Sequence, residues 1–519
     1  MKTLLPGVTE AQTLNDDVEV GCDVCIIGSG PGGAVTAAVL AQAGLSVVVV
    51  EEGGYFTKAR FRQREDEAYP YLYQDGAQRT TADLAITIMQ GKAVGGGSVV
   101  NWTTCFRTPD DVVDGWRAKH GINSVDNASL KPHFGWAEER LSVNQTPLEL
   151  VNKNNRTVWD GATALRHDVD TTHRNVLGCA QTGNCGHGCP IDAKQSMLVT
   201  CIPDAIKAGA SVLSRCRVDK VVYEGSRAVA VVGHAIDAFG LGRTGVAITI
   251  KPRTVIVSAG AINSPAILLR SGTPNDNGRL GKRTFVHPVV ASISLFDKPI
   301  EGWKGAPQSV ASHHHARRGE EVGWFLEAGP VHPMLSSTAM PGFGAGHSGA
   351  MKQLANVAAH LAITIDGHHD DVVGGTVTVN SDGAPVLDYP IVERQWRSFR
   401  DAQKSMAQVG FAAGAKEVWT GHDPPLHMTS LNDVARVDTM PWAPCRVGIF
   451  SAHQMGGCMM SDDKKLGVVR AEDGRHHEVD NLHVIDGSLF PTSVGVNPQM
   501  SIYGLSHLLA TRLAHTLKA

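Results

Sequence analysis

Residues 24–51 read VCIIGSGPGGAVTAAVLAQAGLSVVVVE, and this stretch decides the fold class. Val24–Ile27 is a short continuous apolar run, the pattern of a parallel strand covered on both faces. Gly28, Gly30 and Gly33 then supply G-x-G-x-x-G. The first glycine permits a sharp turn, the second lets backbone approach a pyrophosphate, and the third lets a helix pack on the strand. Ala34–Ala43 is apolar on nearly every side, so it reads as a buried helix, with Gly44 as its stop. Val47–Val50 is a second buried strand that delivers Glu51 at its carboxyl end. A carboxylate there can accept from both hydroxyls of an adenosine ribose, while the helix N-terminus faces the phosphates. Strand, glycine turn, helix, strand and acid together predict an α/β chain with a Rossmann-like dinucleotide-binding domain.

A second glycine cluster, Gly95-Gly96-Gly97-Ser98 leading to Asn101, can present several backbone N–H groups to one flat or anionic ligand. Further along, Arg217–Tyr223, Ala228–Ala235 and Val246–Ile250 form a predicted antiparallel meander, and Thr254–Ser258 a buried strand followed by a helix opening at Asn263. Residues 286–445 change character: they are rich in histidine and proline and carry a hairpin, Thr376–Val379 with Val386–Tyr389. After Leu482–Ile485, a strand ending in Asp486-Gly487, a long helix runs from Gln499. The expectation is a discontinuous nucleotide domain (18–110, 195–285 and 446–519) and a substrate domain on an antiparallel sheet with helices (111–194 and 286–445).

With 519 residues, 42% hydrophobic and 19% charged, the chain is long enough for several cores. A net charge of −4 gives no electrostatic footprint for nucleic acid. No apolar run approaches the roughly 18 residues of a membrane span. The first twenty residues show no signal-peptide pattern, so a cytoplasmic location is expected. Ten scattered cysteines are not a disulfide framework. Three of them are grouped as Cys179-x5-Cys185-x3-Cys189-Pro190. Structural thiols, a three-iron [3Fe-4S] cluster and a zinc site with His187 all remain open for that group. His313–His315 and His368-His369 read as loop histidines, because no third ligand is visible at metal-binding spacing.

Gly28–Gly33 with Glu51, Gly95–Asn101, GAINSPAILLRSG (Gly260–Gly272), Leu280-Gly281 with His287-Pro288, and the block from His453 onward occur in one order. In that order they resemble the glucose–methanol–choline (GMC) family of flavin oxidoreductases along nearly the whole chain. The likeness is to long-chain fatty alcohol oxidases and dehydrogenases, and HQMGGC (His453–Cys458) with VGVNP (Val494–Pro498) also looks like cholesterol oxidase. The resemblance implies FAD as the nucleotide, held through Gly28, Gly30, Gly33 and Glu51 on the ADP side. Gly96, Gly97, Ser98 and Asn101 would lie along the flavin, Val218 at the adenine, and Asp486 and Gly487 near the phosphate or ribityl chain. Some family members attach FAD through a histidine near the second glycine cluster; GGGSVVNWTT has none, so non-covalent flavin is expected.

The implied reaction is oxidation of CH–OH, with hydride passing to flavin N5 and a proton to a base of near-neutral pKa. Carried over by motif, the base is His453 and its partner at the alcohol oxygen is Asn497. Nothing local distinguishes His453 from the chain's other histidines. The substrate would be a mostly apolar alcohol (long-chain, terpenoid, aromatic or sterol-like), and the acceptor dioxygen, a quinone or a cytochrome. The alternatives are a cluster-containing sugar or alcohol dehydrogenase, whose family likeness is to the catalytic subunit of bacterial FAD-dependent glucose dehydrogenase, and a non-redox flavin lyase on the same scaffold.

Overall fold

A computed structural model describes residues 4–340 and 342–518. The strand Val18–Ile27 lies at the centre of an eight-stranded sheet, with Val47–Val50 on one side and Arg243–Val257 on the other, both parallel to it. Ser211–Ser214 and then Gly7–Glu10 extend the parallel run beyond Val47–Val50. Val24–Ile27 and Val47–Val50 are buried throughout, as a sheet covered on both faces requires.

The meander is present, but its last strand differs from the reading by segments. Val246–Ile250 and Thr254–Ser258 are not two strands: Arg243–Val257 is one, running through Pro252. Its first half pairs antiparallel with Arg227–Ile236, and its second half pairs parallel with Leu482–Val484. One long strand therefore belongs to both the meander and the nucleotide sheet, and it draws the chain's C-terminal block back to the first domain.

The helix Pro31–Gln42 has Gly30 at its N-cap and proline at its first turn, as the sequence requires. It is packed so closely that a side chain at Gly33 would sit 2.0 Å from the Gly28 carbonyl oxygen, and one at Gly32 2.1 Å from that of Ile485. Gly28 itself has φ +102°, which side chains rarely adopt. Against this helix lies the C-terminal helix Gln499–Lys518.

A second sheet of ten strands forms the other layer. Its centre is Val289–Leu295, Val357–Thr364 and Trp324–Ala328, all antiparallel. The helix Glu393–Ala412 packs over it through Trp396, Phe399, Met406 and Val409. Sheet membership does not follow the boundaries drawn at 110 and 446: Ile86–Ile88 and Ile449–Ser451 both join this second sheet. The hairpin Gly375–Val379 with Pro385–Asp388 is formed, but in a separate four-stranded sheet with Lys282–Phe285 and Met455–Gly456.

The register of the ten-stranded sheet explains what it presents. Phe450, Val289, Ile363 and Phe325 stand opposite one another in one row, and Leu361 stands opposite Glu327 in the next. Residues two apart share a face, so one acid is set into an apolar floor. Among the described residues no helix is long and apolar enough to cross a membrane.

Candidate active site and cofactor cleft

A single cavity of about 850 Å³ runs between the two layers, from Glu51 to His453. At one end it is lined by Gly28, Gly30, Glu51, Val218 and Arg217, along its length by Gly96, Gly97, Ser98, Asn101, Asp486 and Gly487, and at the other end by His453 and Asn497. All the sequence-predicted cofactor residues except Gly33 line it; Gly33 is buried behind Gly28 and Ser258.

Glu51 is held rather than free. Its Oε2 accepts from the Ser29 amide (2.9 Å) and hydroxyl (2.6 Å), and its Oε1 from the Gly53 amide (2.7 Å). A carboxylate has about four lone-pair positions, so acceptor capacity remains for a ligand. The Ser29 hydroxyl also accepts from the Gly95 amide (3.0 Å), tying the two glycine loops together. Ser29 was not foreseen; a small polar residue between the first two glycines was its only trace.

Two expected ligands turn out to be committed within the protein. The Ser98 hydroxyl donates to the Gly95 carbonyl and accepts from the Met197 amide. Asp486 accepts from the Gly260 amide (2.8 Å), Ser264 Oγ (2.6 Å), and the Ser488 amide (2.8 Å) and hydroxyl. Both shape the cleft by fixing its loops. Asn101 donates to Gln499 Oε1 (2.6 Å), while its own Oδ1 is buried without a partner.

At the far end, His453 follows the strand Ile449–Ser451, and its amide donates to Ser451 Oγ (3.2 Å). Its Nδ1 lies 3.2 Å from Nδ1 of His287, and its Nε2 3.4 Å from Nδ2 of Asn497. Asn497 Nδ2 also donates to Glu327 Oε2 (3.3 Å), which accepts from Gln308 Nε2 at 2.5 Å as well. Burial lowers the His453 imidazole to about 4 and raises the fully buried Glu327 carboxyl to about 8. Near pH 7 both are neutral: His453 can accept a proton and Glu327 holds one. Asn497 Oδ1 and Glu327 Oε1 are buried without hydrogen-bond partners. Unsatisfied polar atoms at one end of a cavity fit a polar guest.

His287, Gln308 and Glu327 escaped the sequence reading. Glu327 had a signal, as the lone charge in the strand Trp324–Ala328. His287 was quoted only as a motif member. Its environment is set by Asp366, which accepts from the amides of Val286 and His287 and from the Tyr389 hydroxyl.

The grouped cysteines lie on the loop behind Asn101. Lys194, fully buried, donates through Nζ to the carbonyls of Val99, Asn101 (3.0 Å) and Cys185 (2.7 Å). Cys189 Sγ accepts from the Lys194 amide (3.4 Å), and all three thiols are unpaired. His187 is turned to Asn184 and stands 4.7 Å from the His332 ring. Among the described residues, the three thiols and His187 are not drawn together at single-ion distances, so the zinc alternative is not assembled.

Family models for GMC oxidoreductases match residues 69–289 and 372–506, and one for an FAD-binding domain matches 21–61. The chain belongs to the GMC oxidoreductase family. It is an FAD-dependent oxidoreductase with a Rossmann-like domain and a sheet-based second layer. An uncharacterized GMC-type oxidoreductase of Mycobacterium tuberculosis is 33% identical over 94% of this chain and 75% of its own. A long-chain-alcohol oxidase of Arabidopsis thaliana is 28% identical over 97% of this chain and 68% of its own. In structure, pyridoxine 4-oxidase from Mesorbium loti superposes with a TM-score of 0.70 at 18% identity, covering 95% of this chain and 99% of the other. Formate oxidase from Aspergillus oryzae gives 0.71 at 12% identity, covering 96% and 99%. At those identities the structural likeness speaks for the fold.

Proposed function

We propose that this protein oxidises the CH–OH group of a mostly apolar alcohol to the aldehyde or ketone, with His453 as base. The observation that carries the reading is the His453–Asn497–Glu327 group, set at one end of the cleft beside an apolar wall of Trp102, Val289, Leu361, Ile363 and Phe450. FAD, when bound without a covalent link, supplies a two-electron acceptor for the hydride lost from the carbinol carbon. Gly28, Gly30 and Glu51 would hold its ADP half, and Gly96, Gly97 and Asn101 would flank the rest. The cradle fits such a group: a side chain at Gly96 would meet Gly30 Cα at 2.5 Å, Gly97 faces open space with nothing within 4 Å, and Asn101 Oδ1 lacks a partner.

His453, neutral at pH 7, takes the hydroxyl proton at Nε2. Asn497 orients that nitrogen and the alcohol oxygen, and Glu327, kept protonated, adds no negative charge where an alkoxide would develop. The apolar wall excludes water and selects the substrate's tail. Likeness to long-chain-alcohol oxidases supports both an alcohol substrate and dioxygen as acceptor.

For Cys179, Cys185 and Cys189 the packing of their loop on Val99 and Asn101 through Lys194 supports a structural role; a [3Fe-4S] cluster there would instead direct electrons to a quinone or cytochrome. The test of the main reading is an anaerobic panel of alcohols scored by loss of the oxidised flavin band. Bleaching by apolar alcohols is expected, and a flavin left oxidised by every alcohol would favour a non-redox lyase.

A further inference from the structure

Among the described residues, His167, His314 and His315 form a cluster of metal-ligating side chains outside the cleft. One ligand atom from each lies within 4.8 Å of the others. The three come from two elements far apart in the chain. His167 follows the helix Lys153–Ala164, and His314 and His315 follow the strand Val310–Ser312. Pairing of Asp170–Thr171 with Val310–Ser312 brings the two turns side by side.

His167 Nδ1 is buried and has no hydrogen-bond partner. His315 is backed by the Trp324 ring at 4.8 Å, and its Nε2 contacts Ser405 Oγ (3.2 Å), which leaves Nδ1 for another partner. Such a contact fixes a ring's orientation as the outer shell of a metal site does. Asp168 Oδ2 is 4.0 Å from His314 Nδ1 on a side chain 90% exposed, free to swing inward. The cations that follow are already neutralised, Arg317 by Asp111 and Arg318 by Asp401.

We propose that His167, His314 and His315 form a site for a divalent transition ion of the zinc class, completed by Asp168 or water. Imidazole donors with one carboxylate suit zinc and exclude magnesium or calcium, which take oxygen ligands. His314 now stacks on His167 at 4.2 Å with planes 9° apart. Parallel rings cannot aim two lone pairs at one point, so binding turns the His314 ring, which is 37% exposed and has room to move. None of the three lines the catalytic cleft. The ion would clamp the end of a helix to the strand that runs on from Gln308, bracing the second layer from outside.

The test is calorimetric titration of zinc into tag-free, chelator-treated holoenzyme, beside His167→Asn, His314→Gln and Cys185→Ser. The expected result is about one tight ion per chain, binding weakened by roughly 100-fold in either histidine variant, and none of that weakening in Cys185→Ser. Zinc should raise the melting temperature of the parent protein and not of the histidine variants, with the flavin spectrum unchanged. His314→Gln alters a part-exposed side chain and keeps the test valid if His167→Asn misfolds. Equal zinc affinity in the parent and the histidine variants would overturn the site. So would loss of binding in Cys185→Ser alone, or an equal melting shift with magnesium.

Discussion

The Nδ1 atoms of His453 and His287 lie 3.2 Å apart, and this contact decides which nitrogen of His453 faces the substrate. Burial holds both rings neutral, so one Nδ1 carries the proton and the other accepts it. Asn497 presents an N–H to His453 Nε2. The network therefore assigns the proton of His453 to Nδ1, donating to His287, and leaves Nε2 unprotonated, the nitrogen that can act as base, with only the long Asn497 contact on it. His453→Ala should keep its yellow flavin but slow anaerobic flavin reduction by roughly 10²–10⁴ in stopped flow. His287→Phe, which removes only the tautomer-fixing acceptor, should cost roughly 10- to 100-fold with flavin content unchanged. Near-parent reduction by the alanine variant would remove His453 from the mechanism.

Glu327 gives the site an alkaline limit. Its carboxyl is raised to about 8 by burial, so it ionises there and places a negative charge beside the developing alkoxide. The pH profile of kcat/KM should fall above about 8 and, as His453 protonates, below about 4. Glu327→Gln should abolish the alkaline fall and leave the acid one. Stability follows the same group: between the ordinary carboxyl value and 8 the folded chain binds a proton that the unfolded chain has released, so stability declines as pH rises across that window. Melting curves should show that decline in the parent and a shallower one in Glu327→Gln. An unaltered alkaline limb in the variant would assign it to another group.

The glycine loops separate ligand contact from folding. A methyl at Gly33 would meet the Gly28 carbonyl oxygen at 2.0 Å, so Gly33→Ala should fail to fold or lose stability by about 3 kcal/mol. A methyl at Gly97 meets nothing in the protein within 4 Å, although Gly97 lines the cleft. Gly97→Ala should therefore fold with parent-like circular dichroism yet weaken FAD retention through gel filtration by roughly tenfold or more. Full retention would mean that the flavin runs elsewhere.

What could be read in advance followed from local chemistry. Val24–Glu51 is contiguous, and its turn, helix and strands are dictated by glycine, apolar run and acid within one unit. Glu327 acts through sheet register, brought opposite Leu361 and Ala311 by pairings that no local pattern encodes. The same holds for His167, which meets His314 only because a two-residue strand pairs at the sheet's edge. The sequence reads Val246–Ile250 and Thr254–Ser258 as two strands, where one strand Arg243–Val257 runs through Pro252. The structure pairs it with Cys22 on the parallel side. Ser98 and Asp486 line the cleft where motif analogy puts them, but that analogy says where a residue lies and not which way its side-chain oxygens are spent.

The cysteine loop allows a direct measurement. Lys194 already joins Cys185 to the Val99 and Asn101 carbonyls, so the loop is braced without a metal. Protein purified anaerobically should carry well under one iron and one acid-labile sulfide per chain. Cys179→Ser should reduce flavin within about twofold of the parent rate, as expected for a part-exposed thiol with no ligand duty. Near three irons per chain would replace this structural reading with a cluster and move the electron acceptor from dioxygen to a quinone or cytochrome.

Substrate length probes the apolar wall. Val289, Leu361, Ile363 and Phe450 are contributed by neighbouring strands of one sheet face, so a tail laid along them loses water at each methylene. Each buried CH₂ contributes about 0.8 kcal/mol, close to a fourfold gain in kcat/KM per added methylene until the wall is covered. A series of primary alkanols should show that rise and then a plateau. Phe450→Ala should lower kcat/KM for the long members by roughly 10-fold and leave the shortest almost unaffected, because only a long tail reaches beyond the His453–Asn497 end. The discriminating result is the slope: a rate independent of chain length, or a preference for polyols over alkanols, would show that this wall faces something other than an apolar tail.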